Sequence, residues 1–240
     1  STQLVTVLFQ MSYLSGIVTV EKREVFTMKK FLAALLGVTL LFAAGCGANP
    51  EAEAVKTTAD SFLKAQQEGN LDEAAKYMTE SAVQDMGTMS ELRDSLSMYE
   101  EAGVSGDTLD TFMDSMLKAY RLIWEKYEIG DVKVDGETAT VMVKVTGVPM
   151  EVMEKEMTEE FGANVAGQWA EDHMEEIQNY ATGHTEEETF AWLMDQMLPA
   201  AGKEAEAKMD ESERKASDYR LTLNKEGDDW KISNVEVKSE

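Results

Sequence analysis

One cysteine, three prolines and two histidines in 240 residues remove several kinds of protein at once. A single thiol excludes a disulfide framework within the chain and any zinc site built from paired cysteines. The two histidines, His173 and His184, are not four residues apart, so the helix pattern of the zinc proteases is absent. No glycine-rich phosphate loop, EF-hand loop or nucleophile elbow occurs. Positive charge is also scarce, with 22 Lys and Arg against 46 Asp and Glu and a net charge of −24. A surface of that sign is repelled by phosphates, which argues against nucleic acid and against docking on anionic headgroups. Finally, no apolar run reaches the roughly 18 to 20 residues of a spanning helix. The stretch from Leu4 to Val20 is interrupted by Gln10, Ser12, Ser15 and Gly16, and the run from Phe31 to Ala44 is too short.

That second run nevertheless has a strong meaning. Met28-Lys29-Lys30, then the apolar segment Phe31 to Ala44, then small residues, is the layout of a secretory signal. Its end, Ala43-Ala44-Gly45-Cys46, resembles the lipobox of bacterial lipoproteins, with Ala43 standing where that family usually has Leu. The resemblance implies diacylglyceryl transfer to the Cys46 thiol, cleavage between Gly45 and Cys46, and residence on the outer face of the cytoplasmic membrane. Two acyl chains hold a protein durably, at about 0.8 kcal/mol per buried methylene. Losing residues 1–45 removes four basic and two acidic residues, taking the net charge from −24 to −26. Attachment then comes from lipid and not from charge. Residues 1–27, which start at Ser1 ahead of a complete signal, are expected to be a non-native upstream extension; Lys22-Arg23-Glu24-Val25 is codable by a purine-rich ribosome-binding stretch. The expected organisation is signal peptide 28–45, lipidated tether 46–50 and one α+β domain over 51–240.

Within the domain, Asn49-Pro50-Glu51 announces a helix by its cap, N1 proline and first-turn acid. Val55, Ala59, Phe62 and Leu63 share one face, and Gly69-Asn70 stops it. Leu71 to Met78 marks a shorter helix, and Ser90 is the expected cap of one carrying Leu92, Leu96 and Tyr99. From Asp107, an apolar stripe through Leu109, Phe112, Met113, Met116, Leu117, Tyr120, Ile123, Trp124 and Tyr127 predicts a core helix. Ile129 to Val134, Asp135-Gly136 and Thr138 to Thr146 predict a hairpin. A long helical region follows from Pro149, loosened at Gly162 and Gly167 and broken at Gly183. Thr185-Glu-Glu-Glu188 is a capping box opening another helix, expected to be disturbed by Pro199 and to end as a polar tail near Lys215. Two strands close the chain around Glu226-Gly227-Asp228, with a bulge expected near Ser233-Asn234.

Helices followed by two hairpins give an α+β fold: N-terminal helices packed on a curved four-stranded antiparallel sheet, with a helical insertion at about 149–215 between the second and third strands. This order, with the ending Asp218-Tyr-Arg-Leu-Thr-Leu-Asn-Lys-Glu-Gly-Asp-Asp-Trp-Lys-Ile232, resembles the cone-shaped nuclear-transport-factor-2-like (cystatin-like) domains of many small Gram-positive lipoproteins. The likeness covers about 51–147 and 216–238; the insertion departs from it. Enzymes of that fold commonly use His-Asp pairs inside the cone, and no histidine falls in the cone segments here.

No residue is therefore assigned a catalytic, cofactor-binding or metal-binding role. Glu171-Asp172-His173 with Glu175 and Glu176 reads as a solvated acidic helix face. The abundant methionines (Met78, Met86, Met89, Met98, Met113, Met116, Met150, Met153, Met157, Met194 and Met197) read as core filler at helical spacing, with an adaptable apolar groove or a soft-metal site as the alternatives. The first functional expectation is a lipid-anchored, non-enzymatic binding module for a small apolar ligand or a cell-envelope partner. An enzyme of the same fold using carboxylates in the cone is the second. A transporter-associated solute receptor is the third, disfavoured because nothing indicates two α/β lobes.

Overall fold

A computed structural model of the chain describes residues 50–86 and 88–238, with Glu159 described in its backbone alone. The expected upstream extension 1–27, the expected signal peptide 28–45 with Gly45, and the expected tether from Cys46 up to Asn49 lie outside the described residues. The chain is α+β, with nine α-helices among the described residues and one antiparallel sheet of four strands.

Helix α1 (Pro50–Glu68) starts at its proline and buries Val55, Ala59, Phe62 and Leu63, the stripe its 3.6-residue spacing predicts. It ends where Gly69 takes a φ of 69°, a conformation glycine reaches without steric cost. Helix α2 (Leu71–Ala75) is capped by Asn70, and α3 (Glu80–Met86) follows. Helix α4 (Met89–Glu101) is capped by Thr88 and not by Ser90: Thr88 and Glu91 form a reciprocal capping box, a signal already present in the sequence. Helix α5 (Gly106–Arg121), capped by Ser105, passes into a 3-10 turn at Leu122–Trp124.

Strands β1 (Lys126–Asp135), β2 (Thr138–Gly147), β3 (Lys215–Glu226) and β4 (Asp229–Val237) lie in sequential order. The two hairpin turns hold Gly136 at φ 61° and Gly227 at φ 65°. Both hairpins carry a bulge. Gly130 and Asp131 intervene between the partners Ile129 and Val132, and Ser233 is the extra residue where Thr222 pairs Asn234 and Leu223 pairs Ile232. The second lies at the expected place. Ser233 uses the bulge to donate its hydroxyl to the Thr222 carbonyl at 3.2 Å.

Between β2 and β3 stand α6 (Met150–Glu156), α7 (Glu159–Asp172), α8 (Met174–Ala181) and α9 (Glu186–Glu211). The helix breaks fall at Met157-Thr158 and at His173, not at Gly162 or Gly167, which both lie inside α7. Thr158 accepts a hydrogen bond from Phe161 N, so a polar cap and not a glycine sets the boundary. Pro199 does not disturb α9, which runs through it. A proline in a helix interior costs about 3 kcal/mol; burial of Met197 and Leu198 before it and of Ala205 and Met209 after it offsets that cost. The residues beyond Pro199 are accordingly no polar tail, since Met209 is fully buried.

Apolar burial divides by partner. Val55, Ala59, Phe62 and Leu63 of α1 pack with Val141, Val143 and Val145 of β2, Tyr219, Leu221 and Leu223 of β3, and Trp230 and Ile232 of β4. The stripe of α5, expected to line one core, is shared among three: Leu109 and Met113 meet α9, Ala119 meets Val148 and Met209, and Ile123 and Trp124 reach the sheet. Helix α1 thus lies on the sheet, and α5 joins the sheet to the inserted helices.

Candidate functional site

The helix-facing side of the sheet is filled by its own side chains. The Trp124 ring lies 6.5 Å from Phe62 in an edge contact and 5.3 Å from Tyr219. Three polar groups meet among them. Gln66, 1% exposed, accepts the Tyr120 hydroxyl on its Oε1 at 2.5 Å and donates its Nε2 to Met86 Sδ at 3.1 Å. Trp124 Nε1 is buried with no hydrogen-bond partner. Burial pushes the phenols of Tyr120 and Tyr219 up to about 12, so both are neutral donors at physiological pH and unsuited to act as bases there. An amide, a phenol and an indole can orient a polar group or fix the packing; none of the three supplies a proton-transfer step at neutral pH.

The inserted helices build a second apolar body with α4 and α5. Helix α9 crosses α5 closely at Gly202, where an added Cβ would stand 2.9 Å from Ser115 Cβ. Around that crossing Leu96, Tyr99, Val104, Leu109 and Met113 enclose Met194, Met197 and Leu198. Half-buried Met89, Leu92, Phe112, Trp169 and Phe190 cover this cluster from outside. A neighbouring cluster holds Ala119, Val148, Met157, Ala205 and Met209, with Met116, Val152 and Phe161 packed on it. The methionines are thus distributed: Met78, Met86, Met150 and Met153 serve the sheet, and the others named above, apart from Met98, serve the two helical clusters. Met98 alone is an exposed large hydrophobic residue among those described, at 61%.

Both histidines fold back on an aromatic residue in the last turn of the preceding helix, a device the sequence reading missed. His173 stacks on Trp169 at 4.3 Å and its Nδ1 lies 2.8 Å from the Trp169 carbonyl. His184 stacks on Tyr180 at 3.8 Å, its Nδ1 2.8 Å from the Tyr180 carbonyl, and Tyr180 stacks in turn on Trp192 at 4.5 Å. The signal was an aromatic residue four positions before each histidine, which brings the two rings together one helical turn apart. Asp172, His173, Glu175, Glu176 and Asn179 line an open depression beside the first stack. Among the described residues no three or more His, Cys, Asp or Glu side chains are grouped to hold a metal ion.

Gly45 and Cys46, where cleavage and lipid attachment are expected, lie outside the described residues. Among the described residues no helix is long and apolar enough to cross a membrane. Set against family models, curated proteins and solved structures, the chain matches none of them.

Proposed function

We propose that this chain is a non-enzymatic binding module, held on the outer face of the cytoplasmic membrane by a diacylglyceryl group on Cys46, and that it takes a small apolar ligand in its inserted helical body. The observation that carries the ligand reading is the cluster at the α5–α9 crossing. Met113, Met194 and Met197 meet there beneath half-buried Met89, Leu92, Phe112 and Phe190, so the covering layer is itself apolar and partly open to water. Unbranched thioether side chains refill space with little strain, which suits a site that admits a guest of variable shape. The sheet core is the weaker candidate, because Phe62, Trp124 and Tyr219 fill it.

The accompanying fold reading is a nuclear-transport-factor-2-like cone for the half made of α1 and the sheet. It is supported by the order of elements and by the two bulges, which bend the strands that carry them. The enzyme reading of that cone would need acid–base groups at its centre, and the groups there are Gln66, Tyr120 and Trp124.

Titrating the purified full-length protein with a medium-chain fatty acid, while following tryptophan emission, tests the ligand reading. Trp169 covers the helical cluster and Trp124 sits in the sheet core. A saturable change that Trp169→Phe removes and Trp124→Phe leaves is the expected result. A change removed only by Trp124→Phe would move the ligand to the sheet, and no saturable change would sink the apolar-ligand reading. For the anchor, wild-type protein is expected to sediment with membranes and Cys46→Ser to be released or left unprocessed; a free Cys46 thiol on wild-type protein would refute it.

A further inference from the structure

The two ends of the sheet differ in what they carry. At one end lie both hairpin turns, Asp135-Gly136-Glu137 and Glu226-Gly227-Asp228. At the other, β2 ends at Gly147 opposite the start of β3 at Lys215, and the inserted helices leave and return between them. Helix α1 spans the sheet from the first end to the second. Glu51, in its first turn, pairs with Lys225 next to the β3–β4 turn, the two atoms 2.5 Å apart. Gln67, in its last turn, donates to the carbonyl of Glu125 at 2.6 Å, just before β1 begins at the far end. Nineteen helical residues separate those ends by about 28 Å. The chain therefore enters the fold beside the hairpin turns, at the end of the sheet opposite the one where the inserted helices leave and return.

Cys46 is four peptide steps before Pro50, which reach at most about 14 Å when fully extended. That reach is half the length of α1. We infer that the double-hairpin end is the surface this protein turns to the bilayer, and that the inserted helical body points away from it. The inference rests on Cys46 carrying the lipid. It also names the partner surface: electrically neutral headgroups. Asp135, Glu137, Glu226, Asp228 and Asp229 are all exposed at this end and outnumber its cations: Lys225, paired with Glu51, Lys231, which donates to the Lys76 carbonyl, and Lys133. Five carboxylates facing anionic lipid would be repelled over a Debye length, about 8 Å at physiological ionic strength. The lipid holds this end close to a neutral surface, the carboxylates would push it off an anionic one, and the inserted helices face outward.

An acylated Cys46 leaves no free thiol, since the chain has one cysteine; any introduced cysteine is then a unique labelling site. Asp228→Cys places a fluorophore at the double-hairpin end, and Glu187→Cys places one in the first turn of α9. Each full-length lipidated variant is reconstituted into phosphatidylcholine vesicles holding a headgroup-linked energy acceptor, and flotation is scored first. The expected result is co-flotation with stronger energy transfer from position 228 than from 187. Replacing part of the phosphatidylcholine by phosphatidylglycerol at low salt should weaken transfer from 228, and added salt should restore it. Co-flotation with equal or reversed transfer overturns the orientation while leaving the anchor intact. Transfer from 228 that strengthens with phosphatidylglycerol overturns the assignment of neutral headgroups. Failure to float, or labelling of wild-type protein at Cys46, overturns the anchor and the orientation with it.

Discussion

Replacing Gly147 by alanine attacks the joint between the sheet and the inserted helices. Gly147 ends β2, and Val148 N donates to the Leu122 carbonyl at 2.7 Å, so strand and 3-10 turn are already in close contact. A Cβ at position 147 would stand 2.2 Å from the Ile123 carbonyl oxygen and 2.4 Å from that of Leu122. Non-bonded atoms pack at roughly 3.5 to 4.0 Å between carbons, so turn and strand must separate by about 1 Å or more. The obstacles are backbone atoms in a turn whose Ile123 and Trp124 side chains are buried, and they cannot swing aside. Overpacking of this kind costs typically 1–3 kcal/mol and occasionally more; the backbone contact puts Gly147→Ala at about 3 kcal/mol. For a domain of this size that lowers Tm by roughly 6 to 12 °C, readable by calorimetry or by the urea midpoint at constant m-value. Gly167→Ala is the matched control: inside α7, with nothing within 4 Å of its added Cβ, it should stabilise by about 0.5–1 kcal/mol through helix propensity alone. A Gly147→Ala loss below about 1 kcal/mol would show that the strand end and the turn do not meet as described.

Thr185→Ala removes the acceptor that Glu188 N finds at 3.2 Å and the partner of a reciprocal box; helix signal and Tm should fall by the equivalent of about 1 kcal/mol. The hydrogen bond from Thr185 N holds the Glu188 carboxyl below its usual range, so this cap is intact above that range and weakens as pH falls through it, measurable as a smaller Thr185→Ala effect at acid pH. Met209→Ala empties a fully buried position in the cluster beneath α6 and should cost about 2–5 kcal/mol in denaturant titration. Burial raises Tyr99, Tyr120 and Tyr219 from 10.0 to about 12. Their unfolded forms ionise first, so stability present below pH 10 is lost as pH rises from 10 to about 12. The tyrosinate absorbance that Tyr99→Phe, Tyr120→Phe and Tyr219→Phe remove should appear together with loss of near-UV circular dichroism; its appearance in the folded protein would contradict the burial.

Local chemistry carried most of the elements. The α1 stripe, the Asp135-Gly136 and Gly227 turns, the alternation along β2 and the Thr185 capping box act over a few residues, and each is found where its pattern places it. So is the Ser233 bulge, because a slip of alternating phase has no other outcome in a paired strand. Boundaries set by polar caps are legible too, at Thr88-Met-Ser-Glu91 and Thr158, where Ser90 and the glycines of α7 are competing signals that the fold does not use.

Only the tertiary structure decided where the apolar stripes go. The α5 stripe looks continuous in sequence, yet Met113, Ala119 and Trp124 end in three different clusters, because a helix pattern states which face is apolar and not what covers it. Pro199 inside α9 and the burial of Met209 belong to the same class: helix packing against α5 and α6 outweighs a local penalty. The buried meeting of Gln66, Tyr120 and Trp124 joins residues up to 58 positions apart and has no signature along the chain. The acidic balance of this protein is a property of the sequence, because it acts without folding. Which end of the sheet the chain enters follows from the packing of α1 and is marked by Glu51 and Lys225, residues 174 positions apart that meet only in the fold.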